Sequence, residues 1–310
     1  MTRQMRLKAL LRSLRTDGWL YVMLIPGLIY TVIFKYLPMW GVTIAFKEYS
    51  IFRGFDASPW VGLQNFIKLF ASSGFRNALR NNIIISLQKL IFGFPTPILL
   101  SLLINEVRKP SMRKAFQTAM ILPNFVSWIV INGLLFAIFS TRSGAIIGVQ
   151  RALGYTGAAA NVLGDKAHFR ILIIVSYLWK SGGFGTIIYL AAIAGISQEL
   201  YEAAQIDGAG RLRQLWHVTL ASLRSTIVML FIFRVGELMY AGFDQIYAIS
   251  NYLVVSVADI IDTFVFKLGL ESRKFSQATA AGLFQSAIGF VLVLAMNAFA
   301  KRVDPDSGIL

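Results

Sequence analysis

The stretch LYEAAQIDGAGRLRQLWHVTL, from Leu200 to Leu220, decides how this chain is read. Glu202 stands near its start, Asp207-Gly208 interrupts it, and Arg211 and Arg213 follow. Glu199–Ile206 reads as a helix whose acids suit the positive end of the helix dipole. Asp-Gly then offers a tight turn, because glycine accepts the required backbone angles. A second helix begins near Ala209, with Leu212, Leu215, Trp216 and Thr219 on its apolar side. The spacing predicts a helix–turn–helix lying parallel to a membrane surface. Ala203, Ala204, Gly208 and Ala209 keep the turn small enough for another surface to approach closely. Two uses stay open: a docking knob for a soluble partner, or an amphipathic loop resting on lipid.

The membrane follows from composition. Hydrophobic residues make up 56% of the 310 and charged residues 15%, against roughly 45–50% and about 25% in soluble domains. No charge falls between Ala115 and Thr141 or between Ser276 and Ala300, and each run exceeds the roughly 20 residues that cross a bilayer. The net charge of +15 comes from bases flanking apolar runs, which suits anionic lipid and orientation signals. No RNA-binding signature is visible, so nucleic acid is not an expected partner. Cysteine is absent and histidine occurs twice, as His168 and His217. Disulfides, thiolate chemistry, Cys-ligated metals and a His-rich metal site are therefore excluded.

Six spans are expected: about Trp19–Phe46, Ile83–Asn105, Ala115–Phe139, Ile171–Ile196, Ser225–Phe243 and Gln277–Ala300. The second carries a Pro95-Thr96-Pro97 kink and the fourth a Gly182-Gly183-Phe184-Gly185 break. Such irregular helices must pack tightly or line a path. Arg3, Arg6, Lys8, Arg12 and Arg15 precede the first span like a signal peptide, but no small-x-small cleavage site follows. This gives an uncleaved basic leader over 1–18, one membrane domain over 19–302 and a tail over 303–310. The leader, the bases Arg108, Lys109, Arg113 and Lys114, and Lys301-Arg302 place both termini and Glu199–Arg224 on the cytoplasmic side. Ile246–Ala258 is too short to span and reads as a re-entrant or interfacial piece. In Trp60–Phe70, Leu63, Phe66, Ile67 and Phe70 share one face. That suits a helix at the outer interface or one packed on the spans.

The string EAAQIDGAG, Glu202–Gly210, followed by an apolar helix, resembles the EAA loop of permease subunits in binding-protein-dependent ABC importers. The longer ELYEAAQIDGAGRLRQLWHVTLASLRSTI is most similar to the carbohydrate-uptake group. YLPMWGVTIAFKEY, GLQNF, SLLINEVR, ILPNFVS, WKSGGFGTIIYLAAI, GFDQIY and VADIIDTFVFKLGL resemble its LplB-type branch, whose members import oligosaccharides derived from polysaccharides. The resemblance implies an all-α integral membrane fold of six transmembrane helices, with a cytoplasmic EAA coupling loop between spans four and five. It further implies that Glu202, Ala203, Ala204, Asp207, Gly208 and Ala209 contact an ATP-hydrolysing subunit, Glu202 meeting a base there. One departure is that Ala221 and Ser225 stand where the family usually has proline, which favours a straighter helix into span five.

The chain has no G-x-x-x-x-G-K-[ST] loop and no catalytic or metal constellation. ATP and Mg are expected on separate subunits, and the chain itself is expected to hold no cofactor. The implied partners are a second permease of similar fold, two ATP-binding subunits, an extracytoplasmic solute-binding protein and membrane lipid. The implied location is a bacterial cytoplasmic membrane.

Charges within spans cost about 2.5–3.5 kcal/mol at mid-depth on insertion scales, so Lys89, Lys180, Arg234 and Glu237 should face the bundle interior. Arg234, Glu237, Ala241 and Asp244 recur at helical spacing, as do Tyr177, Lys180 and Phe184. With Trp179, Tyr189 and Tyr240 they make a stripe of rings and hydrogen-bonding groups of the kind that binds sugars. That stripe is either a sugar path or an Arg234–Glu237 ion pair among packing aromatics, and Lys180 is also placed to snorkel. Two further readings of the whole chain stay open: an ion-coupled secondary carrier relaying charge through Arg234 and Glu237, and a non-transporting receptor. The lack of internal repeats counts against the carrier.

Overall fold

A computed structural model describes residue 16 and residues 18–157 and 161–303. Arg3, Arg6, Lys8, Arg12 and Arg15 of the basic leader, and residues 304–310 of the tail, lie outside the described residues. Among the described residues the chain is all-helical, with only two isolated bridges, Lys47 with Trp60 and Ser50 with Gly54. Backbone groups in hydrocarbon have no water to bond, so the apolar runs close their hydrogen bonds within helices.

Five helices are long and apolar enough to cross a membrane: α1 (Gly18–Phe46), the pair α3 (Ser73–Gly93) and α4 (Pro95–Asn105), α8 (Lys166–Ala194), α10 (Arg211–Met239) and α14 (Phe275–Val303). A sixth span is broken. The helix α5 (Pro110–Ile121) runs through a 3-10 turn at Leu122–Phe125 and meets α6 (Trp128–Phe139) at 100°. The uninterrupted third span expected over Ala115–Phe139 is thus corrected. Pro123 takes the first turn of the 3-10 segment, and Ser127 starts α6 by accepting from the Val130 amide at 3.3 Å. Side-chain caps recur at helix starts: Ser72 for α3, Asp165 for α8 and Ser197 for α9 (Gln198–Ile206), each satisfying an amide that would otherwise lack a partner.

The glycine break expected in span four is absent; α8 is a continuous helix through Gly182–Gly185. The glycines instead admit neighbours. A Cβ on Gly183 would lie 1.9 Å from the Met120 carbonyl oxygen, on Gly182 3.0 Å from Thr96 Cγ2, and on Gly185 2.7 Å from Pro97 Cγ. They let α8 press against α4 and α5. In span two, the prolines leave only a one-residue interruption at Phe94. Ala221 lies in a helix that runs unbroken from Arg211 to Met239, wound as a π-turn at Leu215–Thr219.

Short helices close one end of the bundle. These are α11 (Phe243–Ile249), α12 (Val255–Ala258) and α13 (Ile261–Phe266). Ile246, Ile249, Val254, Ala258 and Ile260 pack with Ile85, Phe169, Leu172 and Ile173. Ile246–Ala258, expected as a re-entrant or interfacial piece, carries part of the core, because its isoleucines meet α3 and α8, while Tyr247 and Tyr252 stay exposed. The helix α2 (Gln64–Ala71) docks through Asn65 and Leu69, with Asn65 donating to the Ala45 and Lys47 carbonyls, both at 2.9 Å. Phe66 packs on Phe46, and Phe70 on Phe75 and Phe284. Leu63 and Ile67, expected on the same face, are exposed. The helix α7 (Ala145–Ala152) follows α6.

Candidate functional site

Two adjoining cavities lie between α3, α4, α8 and α10. The smaller, about 170 Å³, is lined by Ser86, Lys89, Tyr177, Arg234, Glu237 and Tyr240 among others. The larger, about 390 Å³, shares Tyr177, Arg234 and Glu237 and adds Asn124, Ser181, Phe184 and Tyr189. Tyr177 reaches the wall because α3 carries glycine opposite it; a Cβ on Gly93 would sit 2.6 Å from its ring.

Arg234 donates to Glu237 Oε2 at 3.0 Å and lies 5.6 Å from the centre of the Tyr177 ring. Glu237 stays largely exposed at 63%, so its second oxygen remains open to the cavity. The Tyr240 hydroxyl lies 3.3 Å from Ser286 Oγ on α14. Lys89 is buried; its Nζ donates to the Ala241 carbonyl at 2.7 Å and to Gln245 Oε1 at 2.5 Å, and lies over Tyr177 at 4.8 Å. Gln245 in turn donates to the Ile173 carbonyl and to Ser176 Oγ. This chain of bonds ties α3, α11 and α8 together at the cavity wall. A wall of rings with one paired acid and base can stack on a polyol and hydrogen-bond its hydroxyls.

The expected stripe is only partly gathered. Tyr177, Tyr189, Arg234, Glu237 and Tyr240 line the cavities. Lys180 does not: it donates to the Asn124 and Val126 carbonyls at 2.6 and 2.7 Å, satisfying the break between α5 and α6. Trp179 is exposed on the outside of α8. Asp244 is set apart because the helix carrying Arg234 and Glu237 ends at Met239, and Gly242, at φ 98°, starts α11 in a new direction. Arg234, Glu237, Ala241 and Asp244 therefore do not share a helix face. Ser86, Ser181 and the Lys89–Gln245 bond were not read as site features; a lysine inside an apolar run was their one visible signal.

The segment Leu200–Leu220 forms an elbow between α8 and α10. The helix α9 ends at Asp207, and Gly208 adopts φ 74° with open space where a Cβ would stand. The Ala209 amide donates to the Ala204 carbonyl at 2.8 Å, and Gln214 Nε2 to the Ala209 carbonyl at 2.7 Å. Glu202, Ala203, Ile206, Asp207 and Gly208 are exposed, and Ala204 and Ala209 are half-buried. The elbow is anchored to α10 by the Tyr201 hydroxyl, 3.0 Å from Thr219 Oγ1. Leu215 and Thr219 turn inward, whereas Leu212 and Trp216 are exposed. The single apolar side expected for this helix is thus split, because the π-turn rotates its register.

Membrane-crossing helices around cavities walled by rings with a paired acid and base, and an exposed elbow between two of the helices, are the architecture of a multi-pass transport permease. The chain belongs to the family of binding-protein-dependent transport system inner membrane components, whose pattern matches residues 76–306. It is 45% identical to protein LplB of Bacillus subtilis over 294 residues, covering 95% of this chain and 92% of that one. It is 42% identical to the polygalacturonan/rhamnogalacturonan transport system permease protein YteP of the same organism, over 95% of this chain and 91% of that one. A crystal structure of a bacterial ABC transporter involved in the import of the acidic polysaccharide alginate superposes with a TM-score of 0.86 at 37% identity, covering 96% of this chain and 99% of its counterpart. A second superposes at 0.85 and 37%, covering 94% and 97%; it shows the alginate ABC transporter in complex with an alginate pentasaccharide-bound periplasmic protein. The family serves binding-protein-dependent transport, not ion-coupled carriage.

Proposed function

We propose that this chain is one of two membrane subunits of an ATP-driven importer. It forms half of the path for an oligosaccharide that an extracytoplasmic binding protein delivers. ATP and Mg act on two separate subunits, and a second permease of similar fold completes the path. Both termini and the elbow lie in the cytoplasm of a bacterial cell, with a basic leader over 1–18 and a tail over 303–310 flanking the membrane domain.

One observation carries this reading. The elbow leaves Glu202, Ala203, Asp207 and Gly208 open to a partner, while α10 runs unbroken from Arg211 to the cavity residues Arg234 and Glu237. A push at the elbow is delivered along one helix to the site. An ATPase seated against Glu202, Ala203, Ala204, Asp207, Gly208 and Ala209 therefore acts on the sugar path through a rigid lever. In that path, Tyr177, Tyr189 and Tyr240 supply rings and hydroxyls, and Arg234 and Glu237 hydrogen-bond sugar hydroxyls. Lys180 holds the wall by its bonds to span three, and Trp179 and Asp244 stand outside it.

Reconstitution tests this with uptake and ATP hydrolysis measured together. Glu202→Ala or Gly208→Trp should uncouple or detach the ATPase while leaving sugar binding intact. Uptake that continues at the normal rate in both variants contradicts the lever.

A further inference from the structure

Leu215 and Leu220 of the elbow pack against Leu102, Ile193 and Leu223, but its first helix overhangs open space. Beneath α9 lies a cavity of about 480 Å³, walled by the ends of α4, α5 and α8, by α9 and by the start of α10. Arg108, Arg113 and Arg211 line it against a single acid, Glu106. No ion pair joins these four groups; the ion pairs among the described residues are His168–Asp165, Arg234–Glu237 and Lys267–Asp259. Arg113 donates to Asn105 Oδ1 at 3.1 Å. The Arg108 and Arg211 side chains make no hydrogen bond among the described residues. Gln198, Gln205 and Gln214 add amide groups to the wall, and Tyr201 and Thr219 add hydroxyls.

Three guanidiniums lining one cavity repel one another, and an anion seated between them relieves that repulsion. Planar guanidinium forks match the oxygens of phosphate better than any other common group. Ten of the cavity's fourteen lining residues are polar or charged, the rest being Ile193, Ala194, Ile196 and Leu215, so a charged occupant suits it better than an apolar one. It lies at the ends of the spans α4, α8 and α10, where lipid headgroups lie. Gln198, Tyr201 and Gln205 of α9 line the cavity, whereas Glu202, Ala203 and Ile206 do not. The cavity therefore does not include these residues of the surface proposed for the ATPase, although Glu202 stands one turn from Gln198.

We infer that this cavity is an anion site for a phosphate group, held by Arg108, Arg113 and Arg211 beneath the elbow. The phosphate comes either from the headgroup of an anionic phospholipid or from the free ion. Bound there, it joins the α4–α5 link, α5 and α10 across the space under α9 and stiffens the elbow. The inference holds whichever side of the membrane the elbow faces.

Native mass spectrometry of the detergent-purified chain, with whatever subunits accompany it, reads the site directly. Titration with phosphatidylglycerol should give a one-to-one adduct at a concentration at least tenfold below that needed for phosphatidylcholine. Arg113→Gln/Arg211→Gln should abolish that preference, and Arg142→Gln/Arg151→Gln, which changes arginines outside the cavity, should keep it. Should the double variant fail to fold, Arg211→Gln alone, at an exposed position, should weaken the preference several-fold. Displacement of the lipid adduct by millimolar inorganic phosphate identifies the free ion as a ligand; an adduct that resists it identifies the headgroup. Equal binding of the two lipids with no phosphate adduct, or a preference that survives loss of the arginines, overturns the assignment.

Discussion

Replacing Gly183 by alanine tests the packing that shapes the cavity. The added Cβ would stand 1.9 Å from the Met120 carbonyl oxygen and 2.3 Å from its carbon, where ordinary contact begins at 3.4 Å. Both atoms are backbone, so no rotamer change relieves the clash. The helices α8 and α5 must separate by about 1.5 Å, and the bonds from Lys180 to the Asn124 and Val126 carbonyls stretch with them. Overpacking of this kind costs about 1–3 kcal/mol, occasionally more. Alanine itself favours a helix over glycine by about 1 kcal/mol. Gly133→Ala is the control: it lies in α6 with nothing within 4 Å of its Cβ, and should gain that helical preference without a clash. The helical gain is common to both, so the two variants should differ by the overpacking cost, about 1–3 kcal/mol. At about 2–4 °C per kcal/mol, their thermal midpoints in detergent should stand roughly 2–12 °C apart, with Gly183→Ala the lower. Gly236→Ala should fall between them, since its Cβ meets only the Val293 side chain, at 2.5 Å. Equal midpoints for Gly183→Ala and Gly133→Ala refute the close-approach argument.

Lys180→Met should lower stability by about 1–3 kcal/mol, because two carbonyls at the break in span three lose a charged donor; thermal unfolding checks this, and an unchanged midpoint contradicts it. Glu237→Gln should change stability by less than about 1 kcal/mol, since its pair with Arg234 is largely exposed, yet lower sugar uptake at least several-fold; unimpaired uptake removes Glu237 from the path. Burial holds the Asp262 carboxyl above its ordinary value of 3.8, against the Gln285 amide that pulls it down. The folded chain then binds the Asp262 proton more tightly than the unfolded chain does, so this group's contribution to stability falls as pH rises above 3.8. Asp262→Asn should thus gain stability relative to the parent as pH rises through that window; a pH-independent difference contradicts the sign.

Most of the fold was legible because hydrocarbon imposes a simple rule on sequence. The apolar runs ending near Phe46 and Ala300 and the apolar centres of α3, α8 and α10 marked their helices, although α3 begins ten residues before Ile83. What sequence did not carry was direction. The charge-free run from Ala115 to Thr141 reads as one span, yet it bends by 100° because Lys180, more than fifty residues away, satisfies the carbonyls at the break. Gly182–Gly185 obeyed the local rule for a helix breaker, but their purpose was tertiary: Met120, Thr96 and Pro97 occupy the space their side chains would fill. The site shows the same division. Tyr177, Arg234 and Glu237 were readable as polar groups that cannot face lipid. Asp244 was not readable as separate, since the turn at Gly242 lies between it and the helix. The partners of Lys89 stand more than 150 residues away.

The lever requires the elbow to face the cytoplasm, and the absence of cysteine makes that directly measurable. Ile206→Cys places a single thiol on a residue that is 87% exposed at the end of α9. A membrane-impermeant maleimide should label it in inside-out vesicles, not in intact cells, and the ATPase should protect it. Labelling from outside intact cells would contradict the account.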